Sequence, residues 1–430
     1  MQSCFTPAEI LLPPQGTPLE SWATIAVDQF TSQPEYWQKA EALAADRPST
    51  LHIVLPEAYL GTAQEAARCE SIHATMRAYR DTLLTRKVHG YVYVERTQQD
   101  GTIRQGLVGA VDLEQYSYAP GSKPAIRPSE NTIVERIPPR MRVRRGAVLE
   151  SPHVLMLADD EACSLIEPIA AVKDTLPLLY DGELMLGGGR LRGWAVEDAA
   201  LIAQIQTALD ALGDADRFAA RWPAAAGQPP VVLAVGDGNH SLATAKACWE
   251  ERKQTLTPAQ QATDPARWCL AEVCNVHSPA IEIEPIHRVV FGMDAAALHE
   301  AFAAWAARQG AAVGPQGSQH FVLLDAAHRF DVAVDRAPAP LTVGTVEGFL
   351  DALRAERPEI TVDYIHGAET ARALAQDAAR GPATAFLLPD LEKSDLFKGV
   401  VLGGVVPRKT FSMGHAEEKR YYNECRAIEV

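Results

Sequence analysis

The sequence predicts an α/β or α+β fold in which mixed sheets alternate with helices. Strand-like and helix-like patterns interleave along the whole chain, which is typical of this class. The 430 residues are 47% hydrophobic, enough for a large core and for two or three domains. We expect a mixed α+β domain with an arginine-rich loop over 1–222, a core-completing segment over 223–293 and a C-terminal α/β domain over 294–430.

The first half of the chain alternates apolar segments of strand length with longer amphipathic segments. The dipeptide Asp100-Gly101 separates two alternating segments and predicts a hairpin turn. The predicted elements are, in order, a helix after Asp28, a short strand within 49–57, a long helix within 62–87, a hairpin within 90–116, a second hairpin within 153–169, short strands on both sides of the triple glycine 187–189, and a helix within 196–212.

The second half continues the alternation after a loop at 222–230 that is rich in proline and alanine. Asp294 precedes an alanine-rich segment and is the predicted N-cap of its helix. The predicted elements are a strand within 231–235, a helix that ends near Lys253, strands within 266–276 and 281–291, the helix after Asp294, a hairpin within 320–335, a helix within 345–358, a strand within 360–367, a helix within 368–381 and a strand within 383–390.

Charge and cysteine usage exclude several classes of protein. The net charge of −15 disfavours general binding to nucleic acid or to anionic membranes. The seven cysteines are scattered without a CxxC pair, which argues against a disulfide framework or a zinc ribbon. The first residues lack a basic region followed by an apolar run, and no apolar stretch is long enough to span a bilayer. We expect a cytoplasmic protein.

A corner of six residues, Gly-Asp-Gly-Asn-His-Ser at 236–241, joins a predicted strand to a predicted helix. The two glycines allow positive φ and the close approach of a ligand to the backbone. The start of a helix carries free N–H groups and a partial positive charge, which favour an anion and most often phosphate. The predicted phosphate ligands at this corner are Gly236, Gly238, Asn239, Ser241 and, one turn into the helix, Lys246.

Asp237 and His240 add acid–base chemistry to the corner. Because a carboxylate repels phosphate, we expect Asp237 to hold Mg²⁺ or to take a proton from an attacking hydroxyl. His240 is expected to donate a hydrogen bond to a phosphoryl oxygen. The corner matches neither the Walker loop nor GxGxxG. A plain turn, in which Asp237 or Ser241 caps the helix, is the structural alternative.

The corner resembles the DGHHR motif of a bacterial family catalogued as domain of unknown function 1015. Asn239 stands where that motif has its first histidine, and Ser241 stands where it has arginine. Further resemblance lies in the stretches AVDQFTSQPEYW, STLHIVLPE, YVERTQ, GLVGAVDLEQYSY, RPSENTIVERIPPR, EPIHRVVF and VPRKTFSMGHAEEKRYYNECR. The resemblance therefore spans nearly the whole chain.

This family is similar to the ParB–sulfiredoxin superfamily through its strand–corner–helix unit. That superfamily includes free-serine kinases, which use a nucleotide to phosphorylate the serine hydroxyl. The resemblance implies a ParB/sulfiredoxin-like core around the corner, a corner that cradles phosphates, and an acidic residue that acts as base. By this resemblance, functional roles are carried over to Asp237, Gly238 and His240.

An irregular segment over 119–150 contains the dense arginine cluster of this acidic chain. Arginine suits the bidentate capture of phosphate or carboxylate. We therefore expect this segment to face an anion, although a solvated loop or a dimer contact is the structural alternative. The candidates for substrate binding in this segment are Arg127, Glu130, Arg136 and Arg140.

Two acids outside the corner are candidate catalytic residues. Asp28 precedes a helix and is a candidate base or an ordinary N-cap, and Glu57 follows a strand and Pro56 and is a candidate base or a surface acid. The sequence leaves the base open among Asp28, Glu57 and Asp237. Further candidates for substrate or phosphate binding are His287 and Arg288 in a predicted strand, and Lys409 in the motif PRKTFSMG.

Together these patterns predict a phosphotransferase that acts on a small hydroxy amino acid, with serine or O-phosphoserine as the substrate that the resemblance implies. The expected cofactors are Mg²⁺ and ADP, ATP or pyrophosphate as co-substrate. The expected partner is a phosphorylated small molecule, with no membrane, no nucleic acid, and a homodimer as one option. The alternatives are a nucleotide-binding switch or ParB-like DNA-associated protein, and a phosphatase of a small phosphomonoester.

Overall fold

The computed structural model describes residues 3–31, 33–151, 153–377, 379, 381–407, 409–414 and 418–429. The chain forms two compact units. The first unit comprises 1–128, 132–281 and 415–430, and the second comprises 129–131 and 282–414. The predicted middle segment, 223–293, is divided between the two units: residues 223–281 group with the first and 282–293 with the second. The division into three domains remains a prediction.

Strands and helices alternate through both units, as the sequence predicts. The strands are β1 (Phe5–Thr6), β2 (Ala8–Leu12), β3 (Thr24–Ile25), β4 (Arg86–Thr97), β5 (Ile103–Asp112), β6 (Ile126–Pro128), β7 (Leu149–Glu150), β8 (Leu155–Ala158), β9 (Leu178–Glu183), β10 (Arg190–Val196), β11 (Leu233–Asp237), β12 (Trp268–Asn275), β13 (Ile283–Phe291), β14 (Ala312–Gly314), β15 (Gln319–Leu324), β16 (Arg329–Asp335), β17 (Thr361–His366), β18 (Ala383–Leu387), β19 (Phe411–Met413), β20 (Tyr421–Tyr422) and β21 (Arg426–Ala427).

The helices vary from one turn to four turns in length. They are α1 (Leu19–Trp22), α2 (Pro34–Ala44), α3 (Glu65–Ala78), α4 (Ile137–Arg144), α5 (Glu167–Val172), α6 (Ala199–Leu212), α7 (Ala215–Arg221), α8 (Asn239–Lys253), α9 (Pro258–Thr263), α10 (Ala295–Arg308), α11 (Thr342–Glu356), α12 (Ala368–Gln376) and α13 (Lys393–Gly403).

A mixed sheet organises the first unit. Its strand order is β6-β11-β8-β12-β5-β4-β10-β9, with β1 beside β5 and β2 beside β4. Side chains of β4 alternate between two buried clusters, since Val92 and Val94 lie in one and Tyr91 and Tyr93 in the other. Both faces of the sheet are therefore covered. Strand β11, which leads into the corner, pairs with β6 in parallel and with β8 antiparallel.

The described residues of the second unit contain a separate antiparallel sheet, in the order β14-β16-β15-β18-β13-β17, with β19 beside β13. Phe302 on α10, Phe349 on α11 and Phe386 on β18 pack in its core with ring centroids 5.2 to 6.2 Å apart. Asp294 caps α10 by accepting a hydrogen bond from the Ala297 N–H at 2.8 Å. The N-cap prediction is therefore confirmed.

The fold-class prediction is confirmed, and most predicted elements form. The hairpin at Asp100-Gly101 joins β4 to β5, and Thr97 pairs with Ile103 across it. The helix after the corner ends at Lys253, as predicted. The strands on both sides of the triple glycine are β9 and β10.

Two element predictions are wrong. Residues 49–57 contain short 3₁₀ turns, because the Ser49 hydroxyl accepts the Leu51 N–H and starts a turn instead of a strand. The predicted hairpin over 153–169 is absent from the described residues, because β8 pairs with β11 and β12. The Asp160 carboxylate accepts the N–H groups of Ser164 and Leu165 and redirects the chain into α5.

The cysteines and the helices bear on two further expectations. All seven cysteines are free thiols, which agrees with the prediction that no disulfide framework exists. No helix in the described part of the chain is long and apolar enough to cross a bilayer.

Candidate functional site

The corner at 236–241 lies where β11 ends and α8 begins. The pairing of β11 with β8 slips just before Asp237, which bends the strand at this point. Gly238 has a φ of +80°, the left-handed region that favours glycine. A Cβ there would lie 3.1 Å from Val154 Cα and 3.4 Å from the His153 ring. The corner therefore packs directly against the loop before β8, and this contact requires glycine.

Helix α8 starts without a side-chain cap. Its N-cap is Gly238, which has no side chain to accept the N–H groups of the first turn. The preceding carboxylate, Asp237, accepts the Gly238 N–H at 2.9 Å and so leaves that turn uncapped. The first-turn residues are Asn239, His240 and Ser241. Their N–H groups and the helix dipole give this end of α8 a partial positive charge, which suits an anion.

Helix α4 brings two arginines of the predicted cluster to the start of α8. Arg140 donates hydrogen bonds to a Glu57 carboxylate oxygen and, at 2.7 Å, to the Arg136 carbonyl. Arg136 is exposed and ends the 3₁₀ turn before α4. The contact between the two helices is apolar and consists of Ile137, Met141 and Ala243.

His240 is held in the neutral form. Its Nε2 accepts the Ile133 N–H at 3.2 Å, so the ring proton lies on Nδ1. Burial and the nearby Arg140 and Arg136 lower the pKa of His240 to about 4, against a weaker opposing effect of Asp28. At neutral pH the imidazole is therefore an uncharged donor through Nδ1.

Asp28 is ionised and faces basic groups. Its Oδ1 accepts a hydrogen bond from the Gln29 side chain at 3.1 Å, and its Oδ2 lies 3.9 Å from His153 Nε2. Burial acts to raise the pKa of Asp28, but His153, the Gln29 amide and Lys419 outweigh it, so the pKa lies below its usual range. Asp28 is thus a carboxylate at neutral pH and can accept a proton.

Glu57 lies beside Asp28. Its main-chain N–H donates to the Val27 carbonyl at 2.9 Å, and its carboxylate pairs with Arg140. Burial, followed by the charges of Asp28 and Glu57, raises the pKa of Tyr422 well above its usual range. The two acids therefore face the same buried phenol.

Asp237 forms an ion pair with Lys419, with Nζ and Oδ2 3.5 Å apart. Lys419 also contributes to the low pKa of Asp28, so its ammonium lies near both carboxylates. In the described part of the chain, no group of three or more histidine, cysteine, aspartate or glutamate residues could hold a metal ion. The prediction of a protein-held metal at Asp237 therefore has no ligand set in these residues.

Three residues of this cluster were missed in the sequence. His153 precedes β8, and Lys419 and Tyr422 lie near the C-terminus. The motif VPRKTFSMGHAEEKRYYNECR contains the last two, so the stretch was noticed but only its Lys409 was selected. Nothing in the local pattern around His153 distinguishes it from a buried core histidine.

Other predicted ligands make structural contacts. Arg127 is 2% exposed and donates to the carbonyls of Pro124 and Pro229, because its burial in β6 leaves it only main-chain acceptors. Lys246 points its ammonium at Glu250 one turn further along α8. These two contacts do not bring either cation to the start of α8.

The remaining predicted ligands belong to the second unit. His287 Nδ1 accepts the Leu388 N–H at 3.2 Å, and Arg288 pairs with Glu347 at 2.7 Å. Glu130 forms a bridge with Val406, and Lys409 is an exposed turn residue with a φ of +57°. The structure therefore brings together Asp28, Glu57, Arg136, Arg140, Asp237 and His240, together with the first turn of α8, and it places the four second-unit residues in other surroundings.

A family described as protein of unknown function (DUF1015) matches residues 7–353. The chain belongs to this family. The resemblance of the sequence motifs is thereby confirmed. The matched range contains Asp28, Glu57, Arg140 and the corner, and it ends before Lys419 and Tyr422. Comparison with curated proteins finds no match.

Several solved structures are distantly similar to the chain. A free serine kinase in complex with AMP is 12% identical, with a TM-score of 0.37, and the match covers 73% of this chain and 90% of the other. A conserved hypothetical protein from Pyrococcus furiosus is 11% identical, with a TM-score of 0.35 and coverage of 74% and 94%. SbnI from Staphylococcus aureus, truncated at its C-terminus, is 10% identical, with a TM-score of 0.35 and coverage of 71% and 82%.

Proposed function

We propose that the first unit transfers a phosphoryl group to or from a small hydroxy compound, with a nucleotide or pyrophosphate as the other reactant. One observation carries the proposal: Asp28 and Arg140 converge on His240 in the uncapped first turn of α8. This arrangement combines an anion-binding helix start, cations and a carboxylate, which are the parts that phosphoryl transfer needs. Serine or O-phosphoserine is the substrate that the resemblance of the sequence motifs implies.

The phosphoryl group is proposed to lie against the first turn of α8. The N–H groups of Asn239, His240 and Ser241 point to this end of the helix, and the neutral His240 offers its Nδ1–H as a further donor. Arg140 and Lys419 supply positive charge that offsets the charge of the phosphate oxygens. Uncharged donors and cations thus surround one anion position.

Asp28 is the proposed base among the three candidate acids. Glu57 is tied to Arg140, and Asp237 is tied to Lys419 and to the Gly238 N–H. Asp28 faces no arginine in the described ion pairs, and its low pKa keeps it ionised. Such a carboxylate can accept a hydroxyl proton as the new bond to phosphorus forms.

The proposed step is an in-line displacement. The substrate hydroxyl oxygen bonds to phosphorus while the bond from phosphorus to the bridging oxygen of the donor breaks. The hydroxyl proton passes to Asp28, and the donor leaves with the electron pair of that bridging oxygen. In the reverse direction, Asp28 returns the proton to the serine oxygen. The donor set of the described residues does not fit a metal site held by protein alone, and no step is assigned to Mg²⁺.

Phosphorus NMR of the purified protein tests the proposal. The full chain is incubated with Mg²⁺ in separate mixtures of O-phosphoserine with ADP, and of serine with ATP, ADP or pyrophosphate. The proposal predicts that the phosphoryl group leaves O-phosphoserine and appears in a nucleotide or pyrophosphate, or that it leaves a nucleotide or pyrophosphate and appears in O-phosphoserine. Formation of inorganic phosphate alone would instead establish a phosphatase, and unchanged spectra in every mixture would overturn the proposal.

Asp28→Asn tests the role of the base in the active mixture. Loss of a general base lowers kcat by about 10²- to 10⁴-fold. The matched control is Asp46→Asn, because Asp46 is an exposed aspartate of the same unit. We expect full activity and unchanged thermal stability of the control, and a folded Asp28→Asn protein of reduced stability, because the low pKa of Asp28 means that its charge stabilises the fold. An Asp28→Asn protein as active as the wild type would exclude Asp28 as the base.

A further inference from the structure

Tyr422 and His153 form a hydrogen-bonded pair behind Asp28. The Tyr422 hydroxyl and His153 Nδ1 are 2.7 Å apart, and both residues are about 5% exposed or less. His153 Nε2 lies 3.9 Å from Asp28 Oδ2, beyond hydrogen-bond distance but within ion-pair range. The three groups are thus aligned from the buried phenol to the carboxylate at the proposed site.

The buried phenol sets the direction of this chain of groups. Burial, followed by the charge of Asp28, raises the pKa of Tyr422 well above its usual range and keeps the phenol protonated. The Tyr422 hydroxyl therefore has a proton to donate to the lone pair of His153 Nδ1 across the 2.7 Å contact. The remaining ring proton of His153 then lies on Nε2, the atom that faces Asp28.

The backbone places the pair with little freedom. Strand β20 contains Tyr422 and pairs with β3, with Tyr422 opposite Thr24. The Ala26 N–H donates to the Arg420 carbonyl at 3.0 Å and extends this contact toward Asp28. The ring of His153 also packs against the Tyr422 ring, with centroids 5.3 Å apart.

We propose that Tyr422 and His153 are positioning residues that orient the Asp28 carboxylate through the Nε2–H of His153. The inference rests on the proposed function, in which Asp28 is the base, and one of its two residues, Tyr422, lies beyond the family match, which ends at 353. The dipole of a fixed Nε2–H faces Oδ2 across 3.9 Å and favours one orientation of the carboxylate toward the hydroxyl. A free ring would lose that constraint.

Tyr422→Phe tests the inference, with Tyr421→Phe as the matched control. Tyr421 is the neighbouring buried residue of β20, and its hydroxyl donates to the Met185 carbonyl. We expect Tyr422→Phe to lower kcat about tenfold to a hundredfold with little change in KM. His153→Gln, whose amide N–H can replace Nε2–H, should retain more activity than His153→Ala. Tyr421→Phe should leave kcat unchanged.

A measurement that does not depend on activity completes the test. Nitrogen-15 NMR of labelled histidine reports which ring nitrogen of His153 carries the proton, and the His153→Gln spectrum identifies the signals. We expect the Nε2–H tautomer in the wild type and in Tyr421→Phe, and its loss in Tyr422→Phe.

Each outcome decides a different claim. An unchanged tautomer or an unchanged kcat in Tyr422→Phe overturns the positioning role. If the wild type transfers no phosphoryl group in any mixture, the proposed function fails. In that case the tautomer alone still decides whether Tyr422 sets the ring of His153.

Discussion

At the scale of single residues, the site depends on groups whose charge is set by their neighbours. Asp28 is kept ionised by His153, Gln29 and Lys419 in spite of burial, whereas His240 is kept neutral by burial and two arginines. A carboxylate beside an uncharged imidazole donor is a consistent pair for accepting a proton and binding an oxyanion. The two pKa shifts therefore suit Asp28 for accepting a proton and His240 for donating a hydrogen bond to an oxyanion.

The pKa of His240 predicts a pH dependence of stability. The unfolded chain binds a proton at His240 below about pH 6.5, whereas the folded chain does so only near pH 4. The free energy of unfolding should therefore fall as the pH decreases from 6.5 to 4 and should be free of this effect above 6.5. Urea denaturation of wild type and His240→Gln measures it, because carboxylate titrations are common to both proteins.

We expect the free energy of unfolding of the wild type to decrease relative to that of His240→Gln as the pH falls. Parallel stability curves of the two proteins between pH 7 and pH 4.5 would contradict a depressed pKa at His240. In that event burial and the arginines would not hold His240 in the neutral form, and its pKa would lie near the ordinary value of about 6.5.

At the scale of elements, the corner makes a helix start available by leaving it uncapped. Most helices use a side chain at the N-cap to accept the N–H groups of the first turn. Here the N-cap is Gly238, and the neighbouring Asp237 turns back to the Gly238 N–H. The bend in β11 and the contact of α4 with α8 then bring an acid and an arginine to the same end.

Gly238→Ala should destabilise the corner for two reasons. A left-handed φ costs an alanine about 1–2 kcal/mol, and the added Cβ would lie 3.1 Å from Val154 Cα and 3.4 Å from the His153 ring. The matched control is Gly227→Ala, since Gly227 has the same φ of +80° with nothing within 4 Å of a Cβ. We expect a larger loss of unfolding free energy and a greater loss of activity in Gly238→Ala. Equal losses would show that the close approach is unimportant.

At the scale of the molecule, the C-terminal segment is part of the first unit. The Trp22 indole N–H donates to the Asn423 carbonyl at 2.9 Å, although 401 positions separate them in the chain. Arg420 is 4% exposed and donates at 2.7 Å to both Glu272 and Glu424. The segment thereby places Lys419 and Tyr422 on the two sides of this buried network and at the proposed site.

Arg420→Met should destabilise the first unit by about 3–5 kcal/mol, because it removes the guanidinium that pairs with two buried carboxylates, Glu272 and Glu424. The matched control is Arg145→Met, whose pair with Glu251 is more than half exposed and should contribute little to the stability. Urea denaturation followed by circular dichroism measures both. A loss in Arg420→Met as small as that in the control would contradict the structural role of the network.

The sequence predicts more of the local structure than of the site. Turn and cap signals placed the β4–β5 hairpin, the N-cap at Asp294 and the end of α8. The same kind of signal failed at 163–169, because the hydrogen bonds of Asp160 that start the helix are not visible in an apolar pattern. The corner was found because its glycines, acid and imidazole are adjacent in the chain.

The partners of the corner come from distant positions. His153 and Tyr422 are 269 positions apart in the chain, and their side chains meet at 2.7 Å. Arg127 was selected for its charge, whereas its burial in β6 turns it to main-chain carbonyls. Residue type therefore indicated the proposed chemistry, and long-range contacts decided which residues lie at the candidate site.

The measurement that tests the central claim most directly is the amide NMR spectrum of the nitrogen-15-labelled protein during titration with O-phosphoserine and, separately, with pyrophosphate. The claim is that the start of α8 binds the phosphoryl group. It predicts saturable shifts concentrated at the N–H groups of Asn239, His240 and Ser241, with smaller changes at Ile133. Saturable shifts confined to other residues, or no shifts with either ligand, would contradict it.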